Sequence, residues 1–304
     1  MSNKIVFFGN ERLGTGLGTN VPVLRSLIDA GYDITAVVVA QNDNSKSRKS
    51  RVLEIVQVAE ANNIPVLSPS NLNEISDQIK SYGAKAGVLI AYGKLIPKNI
   101  IQLFPRGIVN IHPSLLPSHR GPIPIEGVIL KGEKETGVSL MQLVDKMDSG
   151  PIYAQKKLSL TGQEYKDELA EKLIDLGAEM LVENLPNILN GTLEPVKQND
   201  VLATYDNLIE KSDGELNFKK PAAELEREVR AYVGWPRSHA TIGSTGVIVT
   251  KAHEIDADGT PGTLYLGDNH FGVHCHAGTL VIDRLIPAGK NEMSAQEFLL
   301  GYTP

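Results

Sequence analysis

Over its first half the chain alternates short apolar runs with longer stretches of helical period. Ile5–Phe8, Ile34–Val39 and Ala86–Ile90 are largely apolar, as strands buried on both faces are. Between them Val21–Asp29, Val52–Asn62 and Glu74–Tyr82 repeat their apolar positions at helical spacing. The first of these stops at Gly31, a usual residue just beyond a helix end. Pro65-Val66-Leu67 reads as a short strand, and Gly107–Ile111 as another that runs on into His112. A strand–helix–strand rhythm of this kind predicts an α/β fold with a doubly wound, mostly parallel sheet covered by helices on both faces. Such sheets place ligands at the carboxyl ends of their strands.

The rhythm changes in the second half. Glu164–Leu189 is a long amphipathic helix that ends at Asn190-Gly191. Residues 191–206 hold Pro195 and many polar groups and read as a linker. A helix over Ala222–Val233 leads to Trp235-Pro236. Short strands then follow closely: Ser238–Ile242, Gly246–His253, Gly262–Leu266, Phe271–His276 and Leu280–Ile286. Closely spaced strands with glycine turns predict a small barrel. The chain therefore divides into a first domain over 1–190, the linker, and a second domain over 207–304. A length of 304 residues suits two cores better than one.

Composition narrows the setting. One cysteine, Cys275, excludes an intramolecular disulfide and fits a reducing, cytoplasmic location. The start Met1-Ser2-Asn3-Lys4 has no signal-peptide architecture. No apolar run approaches the roughly 20 residues needed to cross a bilayer. The net charge of −6 gives no global pull toward nucleic acid, and DNA and membranes are not expected partners. A monomer is expected.

The polar residues worth most attention sit at the ends of strand-like runs. Asn110 and His112 lie two apart, so on a strand they share one face. Asp148 is expected to end a strand just before the turn residues Ser149-Gly150, with Asp145 as a rival carboxylate. An amide can hold a developing oxyanion. An imidazole with a carboxylate can move a proton between an attacking amine and a leaving group.

The text around these residues carries a resemblance. Val109-Asn110-Ile111-His112-Pro113-Ser114-Leu115-Leu116-Pro117, then Arg120-Gly121, and an Asp thirty-six residues past the His resemble the active-site signature of the 10-formyltetrahydrofolate-dependent formyltransferases. Tyr92-Gly93 with Ile96-Pro97 resembles that family's folate loop. Ala231 to Trp235-Pro236, with Pro287-Ala288-Gly289-Lys290 and Met293-Ser294-Ala295-Gln296, resembles the second domain of its tRNA-acting branch. The resemblance implies formyl transfer from 10-formyltetrahydrofolate to an α-amine by Asn110, His112 and Asp148. It implies a folate pocket walled by Ile90, Tyr92, Gly93, Ser114, Leu115, Leu116, Pro117 and Val144, and an OB-like second domain. Ser118-His119 departs from the Arg-Trp that many members carry, which puts in doubt any substrate contact that aromatic would make.

Two readings of the acceptor follow. Lys46, Arg48, Lys49 and Arg51 form a dense basic run in the polar loop 42–50 and beyond it. The resemblance places them where the tRNA-acting branch inserts a basic loop into the acceptor stem, so charged initiator tRNA is the expected partner. Lysines and arginines there would neutralise phosphates. The alternative acceptor is an amino sugar nucleotide, favoured by the excess of acids over bases in 207–304. The family's purine-synthesis enzyme fits less well, because it resembles the first domain alone.

Two further motifs lead nowhere. Gly14-Thr15-Gly16-Leu17-Gly18 lacks the Gly-x-Gly-x-x-Gly spacing, and Ala40-Gln41 stands where a dinucleotide site needs an acid. It reads instead as a lid near the amino acid pocket. His274-Cys275-His276 on a strand puts the two imidazoles on one face and the thiol on the other, so no metal is expected.

Overall fold

The computed structural model describes residues 3–10, 21–40, 53–267 and 270–302. The glycine loop 14–18 and the basic residues Lys46, Arg48, Lys49 and Arg51 lie outside the described residues. In chain order the elements are β1 (Lys4–Gly9), α1 (Pro22–Asp29), β2 (Asp33–Val38), α2 (Glu54–Ala61), β3 (Val66–Leu67), α3 (Ser76–Ser81), β4 (Ala86–Ile90), α4 (Lys98–Ile101), β5 (Ile108–His112), α5 (Pro124–Lys131), β6 (Glu135–Gln142), β7 (Ile152–Ser159) and α6 (Lys166–Asn190). Then come α7 (Ala222–Ala231), β8 (His239–Ile242), β9 (Thr245–Ile255), β10 (Leu264–Gly267), β11 (His270–His274), β12 (Thr279–Pro287), β13 (Met293–Ser294) and α8 (Ala295–Gly301). The chain forms two compact units. The first comprises 1–124, 135–159 and 170–207, and the second 125–134, 160–169 and 208–304.

The first unit is a seven-stranded sheet in the order β3-β2-β1-β4-β5-β6-β7. The strands from β3 to β5 are parallel, and β6 and β7 are antiparallel to their neighbours. Ile5, Val6, Phe7 and Phe8 are fully buried in β1, an interior strand, which explains its unbroken apolar run. Phe8 meets Tyr92 and Phe104 edge-on at 5.9 and 6.0 Å, sealing one face of the sheet. Helix α1 starts on Pro22, whose fixed φ and missing N–H suit a first helical turn. It gives way to Gly31 at φ +75.

The stretch expected as a linker is packed chain. Val196 pairs with Ile152, and Tyr205 forms a bridge with Arg120, so residues up to 207 belong to the first unit. Its ties to the rest of the unit reach back 44–87 positions in sequence.

The second unit is built on an antiparallel sheet in the order β10-β11-β12-β9-β8, with β13 beside β12. It forms an antiparallel half-barrel, in keeping with the small barrel that strand spacing suggested. Phe271, Leu280, Ile282, Leu285, Leu225 and Phe298 fill its core. Helix α8 is started by a capping box, Ser294 with Glu297, in a segment that the sequence singled out. Strand β11 stops at His274, two residues earlier than expected. Cys275 then turns, its N–H donating to the Gly278 carbonyl, while His274 Nδ1 is 2.7 Å from Thr279 Oγ1. Among the described residues no group of three His, Cys, Asp or Glu is placed to hold a metal ion, and no helix is long and apolar enough to cross a membrane.

Candidate active site

Strand β5 is where the sheet changes direction. It is parallel to β4, pairing Asn110 with Leu89, and antiparallel to β6, pairing His112 with Ser139. All five of its residues are buried, including Asn110 and His112. The two polar side chains are two residues apart, and the pleat turns them to the same face at the strand's carboxyl end.

The imidazole of His112 is held at both nitrogens. Nε2 lies 3.0 Å from the His119 carbonyl oxygen, an acceptor only, so Nε2 carries the hydrogen. Nδ1 faces Asp148 Oδ1 at 3.8 Å, beyond hydrogen-bond range but close for a charge pair. In the neutral ring Nδ1 therefore keeps its lone pair.

Asp148 does not end a strand. Strand β6 stops at Gln142, and the chain loops out through 143–150 before β7. Leu143 N–H still donates to the Ile108 carbonyl, at 2.8 Å, which starts the loop against β5. Asp148 sits at φ 47, in the left-handed region rarely used by residues with a Cβ. Its Oδ2 accepts from the Gly121 N–H at 2.8 Å. Asp145, the rival carboxylate, is exposed and pairs loosely with Lys98 at 3.8 Å.

Gly121 has to be glycine. Its φ is +115, and a Cβ would stand 2.5 Å from the Asp206 carbonyl oxygen. The preceding Arg120 is wholly buried. Its guanidinium donates to Gln198 Oε1, Asp200 Oδ1 and the Tyr205 hydroxyl at 2.7–3.1 Å. His119, the position that departs from the family pattern, is buried with Nδ1 2.6 Å from Asp206 Oδ2. It has become part of the packed wall behind His112.

The run Ser114–Pro117 is anchored on β6 and β7. Ser139 Oγ donates to the Ser114 carbonyl and accepts from the Leu116 N–H, at 2.6 and 3.0 Å. Gln155 Nε2 donates to the Leu116 carbonyl at 2.8 Å. Ser114 Oγ donates to the Ser118 carbonyl at 2.7 Å. With its polar groups so engaged, the loop can offer a ligand mainly the apolar surface of Leu115 and Pro117, which stay part-exposed. Ile90 closes β4, and Ala91 (φ 49), Tyr92 and Gly93 (φ +77) follow at the same sheet end as Asn110 and His112. Tyr92 is buried, and that burial pushes its hydroxyl up to about 12. Ile90 and Ala91 line a small cavity with Phe7, Asn10, Val21, Pro22, Val23 and Ile174. Val144 is half-buried in the 143–150 loop.

Ser139, Gln155 and Gln198 were not foreseen. Ser139 is one of several alternating residues along β6. Gln198 gave no local signal.

Comparison with known proteins gives the family. The family "Formyl transferase" matches residues 4–185, and "Formyl transferase, C-terminal domain" matches 208–303. The methionyl-tRNA formyltransferase of Myxococcus xanthus is 38% identical over 304 residues, covering 98% of this chain and 95% of its own. That of Enterococcus faecalis is 35% identical over 307 residues, covering 98% and 96%. Among solved structures, the N-formyltransferase from Helicobacter canadensis, in complex with folinic acid and dTDP-3-aminofucose, has a TM-score of 0.68 at 21% identity and covers 93% of this chain and 98% of its own. The phosphoribosylglycinamide formyltransferase from Bacillus halodurans, at 23% identity and a TM-score of 0.51, covers 62% of this chain and 96% of its own. Those structural likenesses speak for the fold, whereas the relatives of known sequence span both domains, and the chain belongs to the formyl transferase family.

Proposed function

We propose that this chain transfers a formyl group from 10-formyltetrahydrofolate to the α-amine of methionyl-tRNA. The observation that carries the chemistry is the placement of buried Asn110 and His112 at the end of β5, with the half-buried Asp148 in the 143–150 loop and Nδ1 of His112, unprotonated in the neutral ring, facing its carboxylate. The neutral amine attacks the formyl carbon, and the new C–N bond forms as the carbonyl becomes an oxyanion. The Asn110 amide donates to that oxyanion, a contribution worth roughly 10²–10³ in rate for one such donor. His112 Nδ1 takes the amine proton, and Asp148 stabilises the imidazolium. The bond from the formyl carbon to N10 then breaks, and the proton passes to N10, directly or through water. Atoms balance without a metal or an oxidant.

The donor would lie along Ile90, Tyr92 and Gly93, with Val144 and the Ser114–Pro117 run as further walls. The acceptor reading rests on relatives named methionyl-tRNA formyltransferase at 32–38% identity along nearly the whole chain. The basic residues Lys46, Arg48, Lys49 and Arg51 suit phosphate binding, and the second unit would supply more of the tRNA surface. An enzyme acting on an amino sugar nucleotide shares the fold only at 21% identity. Incubation with charged methionyl-tRNA and 10-formyltetrahydrofolate, with the product identified by mass, tests the reading. Formylation of an amino sugar nucleotide in its place would overturn it.

A further inference from the structure

We propose that Gln198 is a positioning residue for this reaction, holding the Asp148 loop in the conformation that aims its carboxylate at His112. The inference rests on the catalytic reading of His112 and Asp148 given above. Gln198 is buried, and its amide is fully committed. Nε2 donates to the Asp148 carbonyl at 2.8 Å and to the Gly150 carbonyl at 2.7 Å. Oε1 accepts from Arg120 Nε at 3.1 Å and from one terminal Arg120 nitrogen at 2.7 Å. An amide has two N–H donors and one oxygen with two lone pairs, and all four are used. It cannot flip, because the flipped amide would set N–H against a guanidinium and oxygen against two carbonyls.

The Asp148 loop needs such a hold. Asp148 occupies the left-handed region without being glycine, and residues 145–147 are exposed. Strained backbone persists only where its surroundings over-determine it. Gln198 pins the main chain on both sides of Ser149, and the Gly121 N–H pins Oδ2. What remains free is Oδ1, facing Nδ1 of His112. Arg120, buried and also tied to Asp200 and Tyr205, fixes Gln198 in turn. Gln198 thus acts through Asp148 and not on the reacting atoms.

Gln198→Glu separates this role from general support of Arg120. The carboxylate keeps an acceptor for the guanidinium but has no N–H for the two carbonyls. Both Gln198→Glu and Gln198→Ala should lower kcat roughly 10–10²-fold, the scale of a misplacement near 1 Å. KM for donor and acceptor should stay within about twofold, since uniform binding is untouched. The limb of the pH–rate profile that reports the His112 base should move in both variants. Calorimetry with a stable folate analogue and the thermal midpoint accompany each variant. Wild-type kcat in Gln198→Glu, or a kcat loss matched by an equal loss of analogue binding, overturns the proposal. Asp148→Ala is the control for the underlying reading. If Asp148→Ala turns over normally, the catalytic assignment fails, whereas an inactive Asp148→Ala beside fully active Gln198 variants sinks the positioning role alone.

Discussion

His112 Nδ1 and Asp148 Oδ1 stand 3.8 Å apart, while the opposite ring nitrogen is tied to a carbonyl at 3.0 Å. The pair is thus poised and not yet bonded. A proton arriving on Nδ1 turns a neutral ring beside an anion into an ion pair of opposite charges.

Each member of the trio should therefore matter to turnover and little to donor binding. Asn110→Ala, His112→Ala and Asp148→Ala are expected to lower kcat, by about 10²–10³-fold for the lost oxyanion donor. Double variants should lose less than the product of the single losses, as groups acting together do. Single-turnover rates with charged tRNA give the numbers. Near-normal turnover in His112→Ala would show that the base lies elsewhere.

Gly93 is expected to govern donor binding. Its φ of +77 is costly for a residue with a Cβ, although space is open there. Gly93→Val should weaken binding of a folate analogue, since forcing an L-residue into this conformation costs about 1–2 kcal/mol and shifts the loop. Calorimetry checks this, and undiminished affinity would remove Gly93 from the pocket.

The basic run gives a kinetic signature. Changing Lys46, Arg48, Lys49 and Arg51 to Ala should raise KM for charged tRNA. It should also flatten the salt dependence, by roughly 0.7–0.9 in the log–log slope for each phosphate deprived of its cation. A small methionine ester should react as before. A quadruple variant with the wild-type slope would return the sugar nucleotide to contention.

Stability at low pH should report Glu164 in the second unit. Burial pushes its carboxyl up, but bonds from the Thr161 N–H and hydroxyl and the Gly162 N–H outweigh this and hold it down to about 2, against an ordinary 4.5. A depressed folded-state value contributes stability above the unfolded one and loses it as pH falls. The loss should run from about 4.5 down to about 2. Glu164→Gln should remove this contribution at pH 7 and flatten unfolding free energy across that window. Parallel curves for the two proteins would contradict the assignment.

The sequence disclosed the strand that carries the candidate site because β5 writes its pattern locally. Two polar residues with a spacing of two interrupt an apolar run, and the pleat does the rest. Helix ends marked by Gly31 and Asn190-Gly191 were legible for the same reason. The Asp148 loop was not, since its course depends on β6 stopping at Gln142 and on Gly150 lying against the Gln142 carbonyl, where a Cβ would strike it. The strap through Gln198 and Asp206 was least visible. Arg120 and His119 hold it from about eighty positions away, and no local period records such ties.

The bond from His112 Nε2 to the His119 carbonyl has an evolutionary corollary. Its acceptor is main chain, so whichever side chain occupies 119, the oxygen stays and the ring keeps the same tautomer. A substitution at 119 is thus expected to leave the tautomer of His112 unchanged. The wall of the site, here an imidazole packed on Asp206, can therefore be rebuilt without changing which nitrogen of the proposed base carries the hydrogen.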